Sequence, residues 1–421
     1  VYNRIFGIAG LMFRQAVRSR FVVSLFCLLL TVLVGFTLTI QGDGTASGRL
    51  QVLLSYAMGA VGSVLGMATL WLACGSLATE IESRRIHLVV VKPVRVIELW
   101  LGKWMGILAV VLLQLVAAGL FMWAAARIGE HRTVAGTPDG IAVREEVLVA
   151  REWVEGRRLG PPGDRPVRWS LSCPELPEGA TGMATLSYRF LSAWRDQPPV
   201  IGHWMLRGED GRIWFESDCT ANQDGVNRLK IPLAQLRGGE PVELLFEERP
   251  NAAGQVTGAT FHPEREVELL VPTGGFGANL MRALLLLFCH VALLAALGVT
   301  AGTLFTFPVA VFASLALVVA TLLAQFFVFS TAPERVAHEH HHGGEEGPSW
   351  IERVGAHASE TVRMAMAPTL RYRVGLRLAE GRRIPWREVQ AAAAVLILGY
   401  GGVLCLAGCL VLRRREWALP V

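Results

Sequence analysis

Charge is absent from whole blocks of this chain, and the length of those blocks constrains what it can fold into. Phe21–Ile40, Val52–Leu77, Trp104–Ala126 and Val389–Leu412 contain no Asp, Glu, Lys or Arg. A bilayer core needs ~20 consecutive apolar residues per helix, and each block is long enough. Between Ala283 and Ala332 the only ionisable groups are Cys289 and His290. That run is too long for one span, and Thr306-Phe307-Pro308 divides it into segments near 283–305 and 309–330. The mean hydropathy of +0.42 agrees, because the charged 18% of residues lies between the blocks. The fold class expected is a membrane α-helical protein with six transmembrane helices.

Six spans return both ends of the chain to one side. Arg4, Arg14, Arg18 and Arg20 precede the first, Arg84, Arg85, Lys92, Arg95 and Lys103 separate the second and third, and Arg413–Arg415 follow the last. The positive-inside rule makes that side the cytoplasm, with both termini there, in the cytoplasmic membrane of a prokaryote. The run at 21–40 exceeds a usual signal-peptide core, so a cleaved leader is not expected. Basic groups lie beside the spans and form no continuous patch, which argues against nucleic acid as a partner.

The domain organisation follows. Residues 1–20 form an amphipathic interfacial helix, with Ile5, Phe6, Ile8, Ala9, Met12, Phe13, Ala16 and Val17 on one face. Residues 21–127 carry spans one to three and a cytosolic loop at 78–98. Residues 276–330 carry spans four and five. An extracytoplasmic loop with a short helix occupies 331–388, and residues 389–421 carry span six and the tail.

Residues 128–275 change character. Strand-length apolar runs such as Val167–Leu171, Val200–Leu206, Val242–Phe246 and Val267–Val271 alternate with Gly, Pro, Asn and Asp. This predicts an inserted antiparallel β-sandwich outside the membrane, with a hairpin across 203–214. Trp153, Trp169, Trp194, Trp204 and Trp214 read first as core and second as a glycan-stacking platform. Cys173 and Cys219 share this segment, and spacing does not decide whether they pair.

Candidate sites are few. Gln114, His290 and Gln325 are polar groups within spans, suited either to interhelical hydrogen bonds or to a translocation path. His338, His340, His341 and His342 could hold zinc, copper or nickel, although a glycine-flanked run lacks preset geometry and favours weak metal affinity. No nucleophile with a placed base points to an enzyme.

The stretch from Leu77 to Lys103 carries the functional reading. Glu80, Glu82, Arg84 and Arg85 continue the second span as a polar helix, Pro93 breaks the chain, and Lys103 begins the next span. In its order of residues this stretch resembles the type-two ABC exporter permeases. There a Glu-x-Glu-like element leads through a Leu-rich turn to Pro-Val-x-Arg and Gly-Lys, matched here by Glu80/Glu82, Leu88, Pro93-Val94-Arg95-Val96 and Gly102-Lys103. Ile86-His87 stands where Gly-Thr is frequent, and Arg95 follows Val94 directly. The likeness extends to the basic end of the first helix, the six spans and Arg413–Glu416, and leaves the β-domain unexplained.

The resemblance implies the permease subunit of an ATP-driven exporter, paired with a second permease copy and coupled through Glu80, Glu82, Arg84, Arg85, Pro93, Arg95 and Lys103 to a separate ATPase. ATP and Mg would belong to that partner, since this chain has no phosphate-binding loop and binds no cofactor of its own. Two alternatives remain open. One is a membrane-anchored sensor or scaffold whose outer domain binds glycan or protein, and the other is an ATP-driven transmitter of force to an outer partner.

Overall fold

The computed structural model describes residues 2–40, 44–83, 94–133, 137–161, 165–174, 176, 182–191, 199–222, 226–236, 239, 241–250, 256, 260–261, 267–330 and 375–414, without the side chains of 138, 191, 322 and 324–330. It divides into a helical unit, Val1–Arg132, Leu280–Ala379 and Ile384–Val421, and a β-rich unit, Thr133–Asn279 with Glu380–Arg383.

The helical unit contains α1 (Tyr2–Arg18), α2 (Arg20–Thr39), α3 (Ala46–Glu82) and α4 (Val96–Arg132). Among the described residues, five helices are long and apolar enough to cross a membrane: α2, α3, α4, and the helices Phe276–Leu304 and Trp386–Arg414. The helix Phe307–Ser330 is 24 residues long and largely apolar, and its stretch Phe307–Thr321, before the first undescribed side chain, is shorter than a span. The expected break falls in place: one helix ends at Leu304, and Pro308 occupies the first turn of the next, where a missing N–H costs nothing. The α3 and α4 helices run beyond Val52–Leu77 and Trp104–Ala126, since a helix continues past the apolar stretch that signals it.

Close backbone approach holds these helices together. On α4, a Cβ at Gly102 would lie 2.7 Å from Ile8 Cβ, and one at Gly106 would lie 2.6 Å from Met12 Cβ. The α1 helix is seated on that small-x-x-x-small stripe, burying Met12 and Ala16 and leaving Tyr2, Phe6, Leu11 and Val17 exposed. The amphipathic reading of α1 thus acquires a packed face and an exposed face. A few polar ties cross between helices: Trp104 Nε1 donates to Ala292 O at 3.0 Å, and Thr300 Oγ1 to Leu404 O at 3.0 Å.

In the β-rich unit α5 (Pro138–Ala142) precedes eleven strands. They are β1 (Val149–Glu155), β2 (Arg157–Leu159), β3 (Val167–Ser172), β4 (Met183–Tyr188), β5 (Phe190–Leu191), β6 (Val200–Gly208), β7 (Ile213–Ala221), β8 (Asn227–Pro232), β9 (Pro241–Glu248), β10 (Thr260–Phe261) and β11 (Val267–Gly275). A four-stranded sheet has the order β1-β11-β4-β8, a five-stranded sheet the order β2-β3-β9-β6-β7, and β5 pairs with β10. All these named strand pairs are antiparallel.

Alternation along each strand sends one face inward, and both large sheets feed one core containing Trp169, Leu186, Trp204, Phe246 and Leu269. Trp169 and Trp204 are fully buried there, so they serve as core and not as an exposed stacking platform. The β6–β7 hairpin forms as expected, with Gly211 at φ +76° in its turn. Trp194 lies outside the described residues. Cys173 and Cys219 are both free thiols, and Tyr188 Oη donates to Cys219 Sγ at 3.3 Å.

The remaining helices are α6 (Phe276–Leu304), α7 (Phe307–Ser330), α8 (Gly375–Ala379) and α9 (Trp386–Arg414), the last with a π-helical stretch at Ala393–Tyr400.

Candidate functional site

The end of α3 gathers the sequence-predicted residues that the structure describes. Glu80 Oε1 accepts from Lys103 Nζ at 2.5 Å, joining α3 to α4 across 23 residues of sequence. Lys103 is buried, at 7% side-chain exposure, and Glu80 is largely buried, so water screens this pair weakly. Removing one member of such a pair strands a charge and costs about 3–5 kcal/mol. Two residues further, Glu82 Oε1 accepts the backbone N–H of Phe307 at 2.7 Å. A carboxylate there satisfies an orphan donor in the first turn of α7 and complements the positive end of that helix.

The start of α4 is fixed in a similar way. Glu98 Oε2 accepts the backbone N–H of Arg95 at 3.1 Å, while Glu98 N and Leu99 N donate to Arg95 O. This is half of a capping box, with Arg95 at the N-cap and Glu98 at N3. Glu98 is buried and lies 4.0 Å from Arg4 Nη1 of α1, so one carboxylate serves both the helix start and the N-terminal helix. Its role is missing from the sequence reading, although the three-residue spacing from Arg95 to Glu98, just after Pro93, could have pointed to it.

Aromatic side chains support the same region. Phe21 stacks on Trp71 at 5.5 Å, and Trp71 meets Phe307 edge-on at 5.1 Å, linking α2, α3 and α7. Such pairs add ~0.5–1.5 kcal/mol beyond their area. The arrangement ties the ends of several helices on either side of residues 84–93. Arg84, Arg85 and Pro93 lie outside the described residues.

The other candidates separate. His290 lines a cavity bounded by α3, α6 and α7, whereas Gln114 is buried beside a small space lined by Val22, Leu25, Thr69 and Leu72. These two residues do not share a cavity. The Gln325 side chain lies outside the described residues, as do His338, His340, His341 and His342. Among the described residues no cluster of three His, Cys, Asp or Glu side chains could hold a metal ion.

No protein-family model matches this chain, and no curated protein sequence matches it.

Proposed function

We propose that this chain is the permease subunit of an ATP-driven ABC exporter of the type-two class. The observation that carries the reading is the double tie at the end of α3: Glu80 to Lys103 of α4, and Glu82 to the first N–H of α7. Both ties start within residues 78–98, the segment that the resemblance assigns to the ATPase contact. A partner that pushes on this segment would move the ends of three helices together, because α3 is tied to α4 by a largely buried ion pair and to α7 by a hydrogen bond. Glu80 and Glu82 on this account act as internal transmitters, and the contact with the partner falls to the loop itself.

The finer architecture belongs to the same proposal. The α7 helix is the sixth span, and the termini and residues 84–93 face the cytoplasm of a prokaryotic cell. The two sheets form a β-sandwich on the far side. Two permease copies pair, and nucleotide and Mg are bound by separate ATPase subunits.

A second reading, force transmission to an outer partner, draws on one further observation. Between α8 and α9 the segment Glu380–Arg383 belongs to the β-rich unit. Arg151 N donates to Gly381 O, and Arg383 N donates to Arg151 O, each at 2.7 Å. Arg383 also pairs with Glu152 at 2.8 Å. A strand edge clasped in this way suits a domain that bears load.

The test is co-expression with a neighbouring gene product that carries a phosphate-binding loop, followed by purification and measurement of ATP hydrolysis in the assembled complex. The proposal expects a stable complex whose hydrolysis depends on this chain. Failure of every such ATPase to associate would leave the sensor or scaffold reading in its place.

A further inference from the structure

A cavity of about 530 Å³ runs beside α3, with α6, α7 and Gly375 of α8 as its other walls. Its lining on α3 begins at Ser55 and ends at Leu70, a stretch that rises about 22 Å along a helix. Half of a bilayer hydrocarbon core is ~15 Å deep, so the cavity matches the length of one leaflet together with part of its headgroup zone. The space is partly open to the outside, and an extended hydrocarbon chain can lie in it with wall carbons at the usual ~4 Å contact distance.

The chemistry of the lining agrees. It is apolar except for Ser55, Ser63 and His290, and His290 Nδ1 donates to Leu286 O at 2.9 Å within its own helix. Met58 and Met67 supply flexible side chains that adapt to a chain of variable shape.

The glycines of α3 separate two roles. A Cβ at Gly62 or Gly66 would lie 3.2 Å from Leu287 or Leu294, so these positions serve the packing of α3 on α6. A Cβ at Gly59 would meet nothing within 4 Å. Glycine inside a helix costs roughly 1 kcal/mol relative to alanine, and packing within the chain does not explain it at this position.

We propose that the cavity holds one acyl chain of a bilayer phospholipid, laid along α3 with Gly59 keeping its floor open. The inference rests on α3, α6 and α7 being membrane spans and is independent of whether the chain transports anything.

The test uses the full chain in phosphatidylethanolamine–phosphatidylglycerol vesicles doped with a phospholipid that carries a diazirine on one acyl chain. After irradiation, adducts are mapped by peptide mass spectrometry. Adducts should concentrate several-fold on the segments 55–70 and 287–294 over the exposed face of α4. Gly59→Leu should abolish that enrichment while the thermal midpoint holds or rises, because the new side chain enters empty space. Leu315→Trp obstructs the cavity from the opposite wall and should do the same if Gly59→Leu fails to fold. Adducts spread evenly over all exposed apolar faces, or enrichment that survives both variants, would overturn the proposal. Efficient disulfide linkage of two chains through Gly59→Cys would overturn it as well, by assigning the space to a second copy.

Discussion

The two units of this chain differ in what they expose and in how their elements meet. The helical unit turns large apolar side chains outward, among them Phe312, Leu398 and Leu120, and fills its helix crossings with Gly, Ala and a few hydrogen-bonded Ser and Thr. The β-rich unit buries Trp169, Trp204 and Phe246 and keeps ion pairs such as Arg228–Glu146 and Lys230–Glu145 at its surface. In lipid, apolar surface gains nothing by being hidden, and helices associate through close backbone approach and polar ties. In water, burial of apolar area is the main driving force. The contrast explains why exposure cannot be read alike in both units: a large exposed apolar side chain is ordinary on the helical unit, where lipid surrounds it, whereas the β-rich unit hides its largest rings.

The largest break in that contrast should come from the β-rich core. Trp204→Ala removes a fully buried ring and should cost about 3–5 kcal/mol. Limited proteolysis of the full chain should then cut within 133–279 while the membrane-embedded helices stay protected. Equal loss of both units would mean that they do not behave separately.

Next in size is the charge tie. Lys103→Met leaves Glu80 without its partner and should destabilise the helical unit by about 3 kcal/mol, whereas Glu80→Gln with Lys103→Met should recover much of that loss. A double-mutant cycle of thermal midpoints in detergent measures the coupling, and simple additivity would show the pair to be incidental.

A smaller effect belongs to the helix crossing. Gly106→Leu forces α1 away from α4, at a cost of about 1–3 kcal/mol, and should expose Met12 to labelling after its replacement by cysteine.

The smallest effect is a pH dependence in the β-rich unit. Burial pushes the Cys173 thiol from its ordinary value near 9 up to about 11. The folded state therefore resists ionisation that the unfolded chain permits, and the associated stability, complete below pH 9, falls as pH rises from 9 towards 11. Alkylation of Cys173 at pH 8 should be slow in the folded protein and rapid after denaturation.

The sequence made the spans legible because an uncharged run of about 20 residues has few other uses. Their ends were less legible. The α3 helix continues to Glu82 as the polar helix expected after the second span, but the ties of Glu80 to Lys103 and of Glu82 to Phe307 are encoded by no local pattern. The strands of the β-rich unit were visible through alternation and turn residues, but the pairing of β1 with β11 joins segments more than a hundred residues apart. Gly102-x-x-x-Gly106 was present as a spacing, yet its partner helix could be recognised only once Ile8 and Met12 were placed against it. Gln114 and His290 looked equivalent by residue type, and geometry separates them.

The central claim is that the ties at the end of α3 carry motion between the 84–93 loop and the spans. It is tested most directly by measuring ATP hydrolysis in the purified complex with its ATPase while varying Glu80 and Glu82 alone. The account predicts that Glu80→Gln with Glu82→Gln leaves the complex assembled, and leaves ATP hydrolysis by the isolated ATPase unchanged. Hydrolysis in the complex should lose its dependence on this chain. Full dependence retained in that variant would contradict it and reduce the cluster to a structural join.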